Sequence, residues 1–151
     1  QHAYMLAQLE RHEGLRLAAY LDTLGILTIG VGHNCRAHPV YGVAKVGDKI
    51  TPEQARKLFA KDMVKFEEGL RLTLPWAAEL AQSSPPRYAV LLNMAFNMGL
   101  RGLLDFKNTL SFVQAKQFRL AASHMLQSKW ARQVPARAKE LAKQMEDGQW
   151  S

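Results

Sequence analysis

At Thr51 the chain changes character, and the change constrains the fold more than any other feature. Thr51-Pro52-Glu53-Gln54 offers an N-cap, a proline at the first helical position and a Gln that closes a capping box. Ala55, Leu58, Phe59, Asp62, Met63, Phe66 and Leu70 then recur at helical spacing, which predicts one long helix from 52 to about 72. Beyond it the text is helical, broken by turn signals at Pro75, Ser83-Ser84-Pro85-Pro86, Gly99, Gly102, Asn108 and Pro135. Arg87 to Met98 carries Tyr88, Leu91, Leu92, Ala95 and Phe96 on overlapping faces, the breadth expected of a central helix, and should stop at Gly99. Strand-like text lies ahead of Thr51. A mostly helical α+β fold with a small β-hairpin region follows.

That early region runs from Glu13 to His33, EGLRLAAYLDTLGILTIGVGH. A first helix over 4–13 has Leu6, Leu9 and His12 on one face and is stopped by Gly14. Glu13 thereby comes to a helix end, where the carbonyl pole of the dipole disfavours negative charge. Asp22-Thr23-Leu24-Gly25 is a turn signal, and Leu27, Ile29 and Val31 alternate with Thr28, Gly30 and Gly32 as in a half-buried strand. A turn centred near Gly25 would set Asp22 opposite Thr28 on one face. Gly30 and Gly32 would leave the rest of that face bare for a ligand. Two carboxyl groups in different surroundings are the equipment of a glycosidase, one neutral to protonate the leaving oxygen and one ionised. The same residues also suit a solvated helix-end acid and an ordinary Asx-turn, and spacing alone does not choose.

At 151 residues, 48% hydrophobic and 22% charged, the chain is long enough for a sizeable core and has no apolar run that would span a membrane. It opens on Gln1 with no signal-peptide pattern, which leaves a lost upstream targeting segment open. Cys35 is the only cysteine, so no intrachain disulfide is expected, and the five histidines show no metal-ligand spacing. Neither cofactor nor metal is expected. Twenty basic residues against thirteen acidic give +7, which favours an anionic partner such as an envelope polymer or membrane surface. No recognition-helix or zinc-finger signature accompanies the charge, so nucleic acid is not expected.

The stretch from Glu13 to His33 resembles the active-site signature of the phage-type (T4-like) lysozymes, glycoside hydrolase family 24. Glu13, Asp22, Thr28 and Ile29-Gly30-Val31-Gly32-His33 stand where that signature has its Glu, Asp, Thr and Ile-Gly-x-Gly-His. The likeness continues in Asn93-Met94-Ala95-Phe96-Asn97-Met98-Gly99, Phe106-Lys107-Asn108-Thr109-Leu110, Ser128-Lys129-Trp130 and Pro135-Ala136-Arg137-Ala138. The resemblance implies one lysozyme-like domain over 1–151: a small lobe at about 14–51, a linking helix at about 52–72, and a helical lobe at about 73–151 joined by the N-terminal helix 4–13. A cleft would lie between the lobes.

It also implies Glu13, Asp22 and Thr28 as the catalytic set, with Asn34, Phe96, Asn97, Thr109, His124 and Arg137 facing the substrate. The implied function is a monomeric muramidase or endolysin that cleaves the β-1,4 bond between N-acetylmuramic acid and N-acetylglucosamine in bacterial peptidoglycan. It would be made in the host cytoplasm and act in the periplasm or cell wall during phage-induced lysis. Thr28 suits holding a water, which points to inversion and to carboxyl groups roughly 6.5–9.5 Å apart. The competing readings are a lytic transglycosylase, which needs no water-activating Asp, and a non-catalytic basic module that binds peptidoglycan or nucleic acid.

Overall fold

The computed structural model describes residues 2–151; Gln1 lies outside them. They form eight helices and one three-stranded antiparallel sheet, the α+β class expected. In chain order these are α1 (His2–Glu13), β1 (Arg16–Leu21), β2 (Leu27–Gly30), β3 (His33–Asn34) and α2 (Pro52–Thr73). There follow α3 (Ala77–Ser83), α4 (Pro85–Leu104), α5 (Lys107–Gln114), α6 (Phe118–Leu126), α7 (Lys129–Gln133) and α8 (Pro135–Asp147). Two compact units result: Leu6–Lys65, and residues 2–5 together with Phe66–Ser151. No helix of the described residues is long and apolar enough to cross a membrane.

The first unit is built on the sheet. Ala19, Ile29, Cys35, Val43, Ile50, Ala55 and Leu58 form its core, with Leu17, Leu27 and Val40 against them. The segment after β3 is irregular yet tied down. Ile50 N–H donates to Leu17 O at 2.9 Å, Ala19 N–H to Asp48 O at 2.8 Å, and Ala18 bridges to Lys49. The Asp48 carboxylate accepts from the Ala44 and Lys45 amides and the Lys45 ammonium. Those donors hold its pKa down at about 2. The capping box at the head of α2 forms as the residues dictate: Gln54 N–H donates to Thr51 Oγ1 at 3.1 Å and Thr51 N–H to Gln54 Oε1 at 2.9 Å.

A histidine–carboxylate pair joins the end of the sheet to α2. His33 Nδ1 lies 2.6 Å from Asp62 Oδ2 and Nε2 lies 2.8 Å from His38 O. Burial alone would lower the imidazole pKa. The hydrogen bonds to Asp62 and the His38 carbonyl, with the carboxylate's charge, outweigh it and leave the pKa raised. Both ring nitrogens face acceptors, so the doubly protonated ring fits best. A raised folded pKa means the stabilisation is complete below the unfolded value of about 6.5 and is lost as pH rises through the folded value. Asp62→Asn is therefore expected to cost roughly 3 kcal/mol at pH 5, the low end for a buried pair, because Asp62 keeps 14% of its surface. The cost should shrink at pH 8, and thermal melts of both proteins across this range check it. An equal loss at both pH values would contradict the assignment.

The second unit is helical and centred on α4, where Tyr88 to Ala95 are all buried. Met94, Met125, Leu141 and Met145 are wholly enclosed, each contributing about 1.5–3 kcal/mol of burial. The stop expected at Gly99 is present: its backbone (φ 81°, ψ 158°) is non-helical and kinks α4, and a second helical stretch runs on to Leu104. Pro85 and Pro86 likewise open α4 and Pro135 opens α8, since a first-turn proline gives up an amide that would have had no partner. The C-terminus of α8 is closed by Arg87, which donates through Nε to Met145 O and through Nη2 to Glu146 O, both at 2.7 Å. A Cβ on Gly148 would lie 2.9 Å from the Arg87 guanidinium, and φ there is +69°. Both demands select glycine.

Candidate active site

Glu13 is the last residue of α1 and is half-buried. Gly14 follows with φ +79°, its N–H donating to Glu10 O at 2.8 Å, so the helix ends with a glycine at the left-handed position as the sequence indicated.

Asp22 closes the β1–β2 hairpin. Its Oδ1 accepts from Leu24 N–H at 2.8 Å and Ile26 N–H at 2.9 Å, while its own N–H donates to Ile26 O. One carboxylate oxygen is thus committed to the turn. Oδ2 takes no hydrogen bond among the described residues and is open to a ligand.

The register corrects the expected pairing. Tyr20, not Asp22, stands opposite Thr28, and Leu21 pairs with Leu27. The loop has three residues, with Gly25 in its final left-handed position (φ +76°), so the turn centres on Leu24. Asp22 and Thr28 still share a face, as a diagonal pair, with Tyr20 on the same face directly opposite Thr28. Thr28 is 4% exposed and its hydroxyl donates to Ile26 O at 2.8 Å. Its proton being spent there, Thr28 Oγ1 meets any further partner as an acceptor. Gly30 does not leave that face bare for a ligand: it is buried, and a Cβ on it would meet Leu58 at 3.9 Å.

Tyr20 and Arg16 were not singled out by the sequence, because nothing in a strand pattern distinguishes them. The Arg16 guanidinium carbon lies 4.2 Å from the centroid of the Tyr20 ring. Burial pushes the Tyr20 phenol pKa up, Arg16 pulls it down, and the charges of Glu13 and Asp22 push it further up. The phenol therefore sits in the field of both carboxylates. Asn34 pairs with Thr28 from β3, and its Oδ1 accepts from the amides of Arg36 and Ala37. Its acceptor is held by its own turn, and the amide NH2 is what it can offer outward.

Among the helical-unit candidates, Thr109 and His124 come together. They line a pocket of about 460 Å³ with Asp105, Phe106, Lys107, Asn108 and Ser128. The His124 ring packs against Phe112 at 5.0 Å. Phe96, Asn97 and Arg137 do not line this pocket. Phe96 packs on Phe66 at 4.9 Å, and Asn97 Oδ1 accepts from Trp130 Nε1 at 2.7 Å. Arg137 Nε donates to the Oδ1 of Asn93, a buried residue, at 2.8 Å. Among the described residues no three His, Cys, Asp or Glu side chains gather to hold a metal ion.

Glu13 thus stands at a helix end ahead of a hairpin that carries the turn-held Asp22 and the buried Thr28. Residues 10–146 match the phage lysozyme family. The endolysin of Salmonella phage P22 is 32% identical, over 86% of this chain and 84% of that protein. The probable T4-type lysozyme 1 of Dictyostelium discoideum is 28% identical, over 93% of this chain and 92% of its own length. The pre-baseplate central spike protein Gp5 of Enterobacteria phage T4 is 30% identical over 91% of this chain. This chain spans only about a quarter (26%) of that longer relative. The chain belongs to the phage lysozyme family.

Proposed function

We propose that the chain is a muramidase that hydrolyses the β-1,4 bond from N-acetylmuramic acid to N-acetylglucosamine in bacterial peptidoglycan, for phage-induced host lysis. The observation that carries this is the unequal surroundings of the two carboxyl groups. Glu13 ends a helix, whereas Asp22 has Oδ1 fixed by two amides and Oδ2 open. In the reaction Glu13 gives its proton to the departing O4 of N-acetylglucosamine as the C1–O4 bond breaks. A water adds to C1 of the muramic acid ring and surrenders its proton to Asp22 Oδ2. Thr28 Oγ1 accepts a hydrogen bond from the water's other O–H, which stays on the oxygen that becomes the C1 hydroxyl, and this leaves a lone pair aimed at C1. Asn34, Phe96, Asn97, Thr109, His124 and Arg137 are assigned to contacts with the glycan.

End-group analysis of digested peptidoglycan tests the reaction. Hydrolysis yields reducing muramic acid ends. A lytic transglycosylase would yield 1,6-anhydro ends lighter by one water, and finding only those would overturn the proposal. The net charge of +7 further suggests attraction to anionic envelope polymers, so the same digestion should slow as salt rises. The protein is taken to act as a monomer in the periplasm or cell wall.

A further inference from the structure

Arg16 is the unexplained charge on the catalytic hairpin. It is exposed, and among the described residues its one recorded partner is the Tyr20 ring. An exposed arginine ordinarily sweeps through solvent. This one is held by a local irregularity of the sheet. Arg16 pairs with Gly30 and Tyr20 with Thr28, so on the β2 side Leu17, Ala18 and Ala19 together face only Ile29. Such a bulge re-aims side chains. Across from Arg16 is a glycine with no side chain to pack on, and the guanidinium lies instead over the aromatic face. A guanidinium held over a ring keeps its N–H donors available for an acceptor, and such a fork can grip a carboxylate in two places. Tyr20 in turn is fixed opposite Thr28 and two residues before Asp22. The cation is thereby mounted beside the two groups assigned to the water.

We infer that Arg16, pre-positioned on Tyr20, is a specificity contact that binds a carboxylate of the peptide carried by the muramic acid ring next to the bond being cut. This rests on the muramidase reading, since that substrate places an acidic peptide on the sugar whose C1 reacts. Arg16 then distinguishes peptide-bearing, anionic glycan from a neutral amino-sugar polymer. It acts by binding, so its loss raises KM and leaves kcat in place.

The test compares whole peptidoglycan with the same material whose carboxyl groups have been converted to methylamides. Arg16→Met keeps the aliphatic stem and removes the charge. On native walls its apparent KM should rise about tenfold, the loss of one charge-assisted contact, with kcat within twofold of the parent. On amidated walls it should match the parent. Tyr20→Leu, which removes the platform, should reproduce the KM rise. Lys57→Met removes an equal charge from an exposed position on α2 and should keep the parent's preference for native walls, which separates a local contact from overall charge. The inference is overturned if Arg16→Met retains that preference. It is equally overturned if the variant lowers kcat or shifts the pH profile at unchanged KM, for Arg16 would then be balancing the carboxylates. If the parent protein releases no reducing ends from either material, the muramidase reading fails instead.

Discussion

Glu13→Gln is expected to lower cell-wall clearing by about 10²–10⁴-fold, the contribution of a general acid, without loss of the fold. Glutamine has the size and shape of glutamic acid but cannot release a proton to the departing sugar oxygen. The helix end that carries it is fixed by backbone, through Gly14 at φ +79° and its amide bond to Glu10 O, so the substitution should leave the helix end folded. A sugar alkoxide leaving without a proton is a poor leaving group, and no other side chain has been assigned to supply one. Clearing assays beside melting curves decide the matter. A folded Glu13→Gln protein with near-parent activity would remove Glu13 from the chemistry.

How far the sequence reached depended on whether a feature is specified locally. The capping box at Thr51 and Gln54 was legible because all its atoms belong to four consecutive residues. The stop at Gly14 was legible for the same reason. The hairpin register was not, because Gly25 fits both the middle of a symmetric turn and the last position of a three-residue loop. What decides between them is the grip of Asp22 Oδ1 on the amides of Leu24 and Ile26. The break at Gly99 was legible as well, and only the helical stretch that follows it to Leu104 was not. In the sequence Asp62 is one more point of helical periodicity, and its partnership with His33 spans twenty-nine positions that no spacing rule connects. Arg16 and Tyr20 needed the bulge, which appears only when the strands are paired. The candidates on α4 to α8 come from resemblance alone, since a buried Thr109 and a pocket-lining His124 look like ordinary helical text.

Asp22→Asn should lower hydrolysis by about 10²–10⁴-fold as well, and the parent enzyme should release its first product with the configuration inverted. The two expectations share one cause. A retaining enzyme uses its second carboxylate as a nucleophile, at about 5–5.5 Å from the acid. An inverting one leaves about 6.5–9.5 Å for a water. Thr28 discriminates between these roles. Its proton is given to Ile26 O, so towards the site it presents only lone pairs. Lone pairs beside a nucleophilic carboxylate would repel it, whereas they suit a water that must donate one hydrogen to Thr28 and lose the other to Asp22 Oδ2. Thr28 and Asp22 occupy one face of the hairpin as a diagonal pair, whose ~7–8 Å spacing lets one water touch both side chains. Asn at 22 keeps an oxygen for the amides of Leu24 and Ile26, so the turn should survive while the base is lost. Thr28→Val, which keeps the shape and deletes the acceptor, should lower kcat more than it alters KM. NMR of the first-formed anomer reports the outcome directly. An initial α product from the β-linked chain means that water attacked from the face opposite Glu13, and an initial β product would make Asp22 the nucleophile and reduce Thr28 to a strand residue bonded to Ile26.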